Sequence, residues 1–440
     1  VPGFQPVRFA ALTDVGVKRS HNQDACAAQP AADAGAFAAH GHVFVVADGM
    51  GGHAVGEKAS AKAVRDIPFL YLRYAKDGAA AALRRAFQEA NAGIFTIGQE
   101  NPEFRGLGTT STALAVRPDG AWVGHVGDSR AYRVRNGVAE QLTFDHSWVW
   151  EIARRQGVDP DELGDFKRNV IIRSLGPDPD VEVDVEGPHP VEPGDVFVLC
   201  SDGLTGVVAP ADVGAVAAAL PPDEAARLLV NLANLRGGPD NITVLIVHVG
   251  GTAEKAALAA RPGLLRRAAA EWNRRVPWPF TALGGGSLAV LLSVLMHQNG
   301  VAGAATLFVL AAAAVVGGLV GLGVMLWREP HDPPPAADQP APAPNVYKRH
   351  PCPPGVEAAD RFAQVEAALA EAMRGQGAAA DWEAYGKLAA AAETAARRGR
   401  GAEAFKARCR SLLFLTDAFH RARPKEESFR PSWDRPPPGG

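Results

Sequence analysis

Over the first 250 residues, short apolar runs alternate with turn residues; beyond them the pattern changes character three times. The runs at 43–47, 111–116, 121–126, 131–135, 196–200 and 242–249 are rich in β-branched residues. Their lengths and flanking Gly, Pro, Asn or Asp predict strands. Asn136-Gly137 lies between Tyr132-Arg133-Val134 and the run 138–142. That pair predicts a two-residue hairpin, because both central residues of such a turn need positive φ. Apolar residues at helical spacing predict helices over 57–75, 79–97, 148–156 and 223–234. This part therefore reads as α+β, mostly strand with inserted helices. No repeat of fixed period is present.

Residues 251–279 are helical in character and basic, with Lys255, Arg261, Arg266, Arg267, Arg274 and Arg275. Two apolar, uncharged stretches follow, 280–296 and 301–327, separated by His297-Gln298-Asn299-Gly300. A bilayer core takes about 20 residues, so the second is long enough to span and the first is marginal. Gly284-Gly285-Gly286 weakens the first as a helix. A membrane hairpin of two spans is favoured, since a single span would leave 280–296 as an exposed apolar patch. The basic run then stays inside, which predicts a cell-membrane protein with its catalytic part in the cytoplasm. Residues 328–354 read as a stiff Pro-rich linker. Residues 355–440 form an Ala-rich helical region, with Phe362, Val365, Leu369 and Met373, then Cys409, Leu412, Leu413 and Phe419, at helical spacing. A small helical hairpin is the plainer reading of this tail, and a docking module for a kinase or membrane complex the sharper one.

Composition narrows the function classes. Hydrophobic residues make up 47% and charged residues 21%, which excludes wholesale disorder. A net charge of −3 supplies no basic field for nucleic acid. The four cysteines are far apart and form no CxxC pair, so neither a disulfide scaffold nor a cysteine zinc site is expected. A reducing compartment follows, and no signal peptide is legible behind Val1. The apolar stretches hold no ionisable residue, which argues against a transporter.

Four aspartates sit at the ends of apolar strands. The run 43–47 leads into Asp48-Gly49, 196–201 into Asp202-Gly203, and 122–127 into Asp128; Asp240-Asn241 immediately precedes 242–249. One Asp-Gly is ordinary turn chemistry. Four in strand-end context suggest a shared site on rigid scaffolding, although spacing alone leaves convergence open. Converging carboxylates repel, and an oxygen-rich set without paired Cys or His favours Mg2+ or Mn2+ over zinc.

The ordered motifs carry a family resemblance. They are Thr13-Asp14-Val15-Gly16-Val17-Lys18-Arg19-Ser20-His21-Asn22-Gln23-Asp24, Val46-Ala47-Asp48-Gly49-Met50-Gly51-Gly52-His53, Gly108-Thr109-Thr110, Gly127-Asp128-Ser129-Arg130, Ser201-Asp202-Gly203-Leu204 and Gly238-Pro239-Asp240-Asn241. Together they resemble the PPM family of metal-dependent, protein phosphatase 2C-like Ser/Thr phosphatases, in the bacterial variant. The resemblance covers about residues 7–250 and implies a phosphatase domain at 1–250. Its implied fold is an antiparallel β-sandwich flanked by helices, in four layers, αββα. It further implies that Asp48 bridges two metals, that the Gly49 carbonyl holds one, and that Asp202 and Asp240 complete the pair. Asp128 would hold a third, weaker metal, Asp24 would act through water, and Arg19 would bind the substrate phosphate. Mg2+ or Mn2+ would activate a water that hydrolyses phosphoserine and phosphothreonine on proteins, with no covalent enzyme intermediate. Phosphorylated proteins, a Ser/Thr protein kinase among them, are the implied partners. The competing expectation is a pseudophosphatase, a membrane-anchored phosphoprotein-binding module without turnover.

Two departures stand out. The family's Asn-Glu-Asp is Asn22-Gln23-Asp24 here, and Met50 occupies the place of a His proposed as general acid in eukaryotic relatives. His53 is the nearby candidate acid, with a loop hydrogen bond as its alternative role. Cys200 and His125 are expected to be structural, Arg130 to pair locally, and 144–169 to match the variable flap of bacterial relatives.

Overall fold

The computed structural model describes residues 6–51, 55–100, 102–104, 106–163, 170–250, 278–299, 348–377 and 380–422, and in addition 307–309, 311–312 and 319. The chain opens with β1 (Val7–Asp14), β2 (Asp24–Gln29), helix α1 (Ala34–His40) and β3 (His42–Met50). Two long helices follow, α2 (Val55–Tyr74) and α3 (Ala79–Glu100). Then come β4 (Gly108–Thr109), β5 (Ser111–Arg117), β6 (Gly120–Val126), β7 (Arg130–Arg135) and β8 (Val138–Gln141). Helix α4 (Trp148–Gln156), β9 (Asp184–His189) and β10 (Val196–Cys200) lead to α5 (Asp202–Thr205), α6 (Pro210–Ala219), α7 (Pro222–Leu235) and β11 (Ile242–Val249).

These strands form two antiparallel sheets flanked by helices. One runs β2-β3-β5-β6-β9, with β4 on β3. The other runs β1-β11-β10-β7-β8 and ends on a strand from the C-terminal region. The two-residue period of a strand sorts side chains between cores. In β3, Val43, Val45 and Ala47 pack under α2 and α3, whereas Phe44 and Val46 face the opposite sheet. In β11, Ile242, Val244 and Ile246 pack with α6 and α7, and Leu245, Val247 and Val249 enter the core between the sheets. That alternation is why the run is buried at every position. Fully burying a side chain such as Phe44 contributes roughly 1.5–3 kcal/mol.

The hairpin expected at Asn136-Gly137 is present, with φ of 51° and 73° at the two residues. The expected helices appear as α2, α3, α4 and α7, each within a few residues of its predicted bounds. Strands β1, β2, β4 and β9 and helices α1, α5 and α6 were not anticipated.

The C-terminal region is built into the same compact unit as residues 1–256. The expected linker 328–354 ends in a strand, β12 (Arg349–Pro351), which pairs antiparallel with β8. An edge strand presents unpaired N–H and C=O groups, and β12 satisfies them. Arg349 also forks onto Glu140 Oε1 at 2.8 and 3.0 Å. Three helices follow rather than a hairpin. To keep chain order, the apolar helix Trp278–Gln298 is α8, and the tail helices are α9 (Val356–Gly375), α10 (Trp382–Arg397) and α11 (Gly401–Ala422). Phe362, Met373, Phe405, Cys409 and Leu412 share one core with Val213, Leu228 and Leu229 of α6 and α7. Arg410 with Glu224, and Asn231 with Thr416 and Asp417, tie the rim.

Residues 257–342 form a separate unit. Its helix α8 contains the expected first span and exposes Leu291, Leu292, Val294 and Leu295. Among the described residues no helix is long and apolar enough to cross a membrane. The expected second span, 301–327, and the basic segment 251–279 lie almost wholly outside the described residues.

Candidate metal and phosphate site

The strand ends that carried the aspartates meet at one end of the two sheets. Register fixes the first pair: β2 and β3 run antiparallel with Asp24 opposite Asp48. The Gly108-Thr109-Thr110 motif clasps the Asp48 backbone. Asp48 N–H donates to Thr110 Oγ1 at 2.9 Å, and its carbonyl accepts from Thr110 N–H at 2.8 Å and Thr109 Oγ1 at 2.9 Å. Gly49 N–H donates to the Gln23 carbonyl at 3.0 Å. A Cβ on Gly49 would collide with the Gly56 and Gln23 carbonyls, so only glycine lets these backbones close here.

Asp202 starts α5 directly after β10, and Asp240 lies in the loop before β11. Gly203 presses against the Asn241 carbonyl with no room for a Cβ, which holds the two acidic turns together. Asn241 extends the tie, accepting from Gln23 N–H and donating to the Val15 and His21 carbonyls. The same loop brings Arg19 onto Asp240 Oδ2 at 2.8 Å. Beneath, Ser201 donates to Asp24 Oδ2 at 2.7 Å and accepts from Thr243 N–H at 2.9 Å.

A cleft of about 410 Å³ opens above these residues. Arg19, Asp128, Arg130, Asp145, Asp202 and Asp240 line it, with Trp150 and Pro160 on one wall.

Its electrostatics are those of acids crowded out of water. Burial first, and then Asp24, Asp202, Asp128 and Asp240, hold the Asp48 carboxyl well above the usual carboxylate range. Burial raises Asp128 to about 8, reinforced by Asp202 and Asp145 and opposed by Arg130. Burial raises Asp24 to about 6, against the hydrogen bonds from Ser201 and Thr243. Asp202 is raised by burial and then by Asp240, while a hydrogen bond with Asp48 opposes the shift.

The donor set fits a hard divalent cation. One carboxylate oxygen each of Asp24, Asp128 and Asp202 is buried without a hydrogen-bond partner. Such oxygens are costly unless a charge meets them. Among the described residues no three His, Cys, Asp or Glu side chains already stand at the spacing of a metal cage. Converging carboxylates repel one another, and a divalent cation relieves that repulsion.

The sequence reading thus finds Asp24, Asp48, Gly49, Asp128, Asp202, Asp240 and Arg19 gathered at one end of the sheets. His53 lies outside the described residues. Arg130 pairs locally as expected, forking onto Asp145 at 2.7–3.0 Å. His125 is buried between Thr112 and the Phe144 carbonyl, and burial lowers it to about 3. Burial raises the Cys200 thiol to about 12, leaving it an inert small hydrophobe.

Two contributors were missed. Ser201 anchors Asp24, and its place between strand end and Asp202 was the available signal. His146 accepts from Gly127 N–H at 3.0 Å while its own N–H meets the Gly127 carbonyl at 2.7 Å, fixing the turn that presents Asp128. Only its neighbourhood to Asp145 marked it in sequence.

Comparison with known proteins agrees with the motifs. The protein phosphatase 2C family model matches residues 17–226. A protein phosphatase 2C-type protein of Streptococcus pyogenes is 35% identical over 253 residues, covering 55% of this chain and 97% of its own. The serine/threonine phosphatase stp of Listeria monocytogenes is 34% identical over 244 residues, covering 54% and 93%. Among solved structures, the catalytic domain of the serine/threonine protein phosphatase PstP, in complex with two manganese ions, is 30% identical. It aligns with 56% of this chain and 100% of its own at a TM-score of 0.48. On its motifs, its sheets and its identity to relatives matched over nearly their whole length, the chain belongs to the PPM family and is a metal-dependent Ser/Thr protein phosphatase of the bacterial type.

Proposed function

We propose that Asp48, the Gly49 carbonyl, Asp202 and Asp240 hold two divalent cations, Mg2+ or Mn2+, with Asp128 serving a third, weaker one and Asp24 acting through water. The observation that carries this reading is the convergence of Asp24, Asp48, Asp128, Asp202 and Asp240 at one end of the sheets, with a buried carboxylate oxygen of Asp24, Asp128 and Asp202 left without a hydrogen-bond partner. A cation at that point offsets all five charges together. When bound, the metal pair supplies charge neutralisation and the activation of water for in-line attack at phosphorus.

The chain's own residues supply position and charge. Arg19, 53% exposed at the mouth of the cleft, offers its guanidinium fork to the phosphate oxygens. Its ion pair with Asp240 keeps it aimed there. Thr109 and Thr110 immobilise Asp48, and Ser201 orients Asp24. Arg130, spent on Asp145, stiffens the wall beside Asp128. The Gln23 side chain donates to the Gly51 carbonyl at 3.5 Å, and the five acids are all present beside it. The charge missing at this position therefore leaves the five acids intact, which favours turnover over a binding-only role.

The substrates are phosphoserine and phosphothreonine on proteins, a Ser/Thr protein kinase among them. The apolar segment holds the protein at the cell membrane with its catalytic unit in the cytoplasm. The exposed leucines of α8, the basic residues before it and the uncharged run 301–327 support that attachment. Recovery of the full chain from the soluble fraction alone would refute it.

Phosphate release from a phosphothreonine peptide tests the central reading. Hydrolysis should need Mn2+ or Mg2+, stop with a chelator and return with added metal. Activity indifferent to chelation would sink it.

A further inference from the structure

The part of the cleft lined by Trp150 is held by a residue from the C-terminal region. Lys348 precedes β12, and its carbonyl accepts from Gln141 N–H of β8 at 2.8 Å. Its side chain leaves the sheet and reaches the wall. Lys348 Nζ pairs with Asp159 Oδ1 at 2.7 Å and stands 4.8 Å from the centre of the Trp150 ring. Trp150 is nearly buried, lines the cleft, and meets Phe144 edge-on at 5.0 Å. On its other contact, the Arg130 guanidinium lies 5.5 Å from the ring and forks onto Asp145. Lys348, Trp150, Arg130 and Asp145 thus form one contiguous chain of contacts that ends beside Asp128.

We infer that Lys348 is a positioning residue for phosphoprotein recognition: it sets the Trp150–Pro160 wall against which the protein part of a substrate must lie. Three features carry this. The wall borders the cleft that holds the aspartates and Arg19, so a phosphorylated side chain entering the cleft brings its flanking residues there. Lys348 ties the turn bearing Asp159, itself closed by hydrogen bonds from Val158 N–H to the Ala153 carbonyl and from Glu162 N–H to the Asp159 carbonyl, to the Trp150 ring. And Lys348 is only 15% exposed at its side chain, where a cation is retained by its partners rather than by water. Lys348 lies outside the part of the chain matched to the family.

The test rests on the phosphatase reading and uses the full-length protein with Mn2+. Two substrates are compared: a phosphothreonine peptide, which meets the wall, and p-nitrophenyl phosphate, which has no flanking residues to place. Lys348→Ala should raise KM for the peptide about fivefold while kcat and KM for p-nitrophenyl phosphate stay level. Asp159→Lys should act in the same direction. An unchanged peptide KM in Lys348→Ala would overturn the inference. So would an equal loss on both substrates, which marks a merely structural role. A parent protein inactive on both substrates would overturn the phosphatase reading and this inference with it.

Discussion

Asp24 stands directly opposite Asp48 across the β2–β3 pair, two acids facing each other at a position where like charges weaken a sheet. Asp202, directly after β10 of the other sheet, adds its charge to theirs. The fold thus keeps a locally unfavourable arrangement, fixed by strand register, by Gly49 and Gly203 at close backbone contacts, and by Ser201 beneath.

Asp48→Asn should abolish metal-dependent hydrolysis, by roughly a thousandfold or more, because several kcal/mol of transition-state stabilisation go with the metals. The fold should survive. In metal-free buffer the variant should melt no lower than the parent, since a buried acid leaves a crowded acid cluster. Circular dichroism melts with and without Mn2+ check both points, and the Mn2+-induced gain should be the part that is lost.

Arg19→Ala should raise KM for a phosphothreonine peptide about tenfold and lower kcat, since charge-assisted hydrogen bonds serve both bound states. Its exposed pair with Asp240 adds little to stability, so the melting curve should hardly move. Lys18→Ala should be kinetically silent. Damage from Lys18→Ala with a silent Arg19→Ala would place the phosphate on the wrong residue.

What the sequence made legible follows from where the information lies. Strands β3, β10 and β11 are near-continuous apolar runs that stop at an acid, and both features are local. Strands β1 and β2 escaped because VRFAALTD and DACAAQ carry weak strand signals; their partners β11 and β3 define them. Helix α6, PADVGAVAAA, is buried on nearly all sides and shows no polar face for periodicity to detect. β12 reads Arg-His-Pro and forms only because β8 offers it an edge. In the site, the acids could be nominated from their motifs. Their convergence, and the part played by Ser201 and His146, depend on register between strands far apart in sequence. The reach of Lys348 to Trp150 depends on more than 190 residues of intervening chain and has no local signature.

Two glycines should respond oppositely to the same substitution. Gly203→Ala places a methyl group against the Asn241 carbonyl and should cost about 2 kcal/mol or more, with weakened Mn2+ binding. Gly386 lies inside α10 with open space around its missing Cβ, so Gly386→Ala should stabilise by about 0.5–1 kcal/mol. Chemical denaturation of both variants makes the comparison.

The buried His248 should make the protein acid-sensitive. Burial first, and Arg8 as well, lower it to about 4, against its hydrogen bond to the Ala217 carbonyl. Between about pH 6.5 and 4 the unfolded chain takes up a proton at this ring that the folded chain refuses. Stability from this source is therefore complete above pH 6.5 and falls as pH drops, by on the order of 1–2 kcal/mol at pH 5. His248→Gln should lose less stability than the parent between pH 7 and 5. Parallel losses in the two proteins would remove His248 as the cause.

The central claim is that the acids at the strand ends form a divalent metal centre, and the most direct measurement is anomalous diffraction at the manganese edge from crystals grown with Mn2+. Two strong peaks should lie among Asp48, the Gly49 carbonyl, Asp202 and Asp240, with a weaker third at Asp128 and none at the first two positions in Asp48→Asn. Crystals that carry Mn2+ elsewhere, or none at these aspartates at saturating metal, would contradict it.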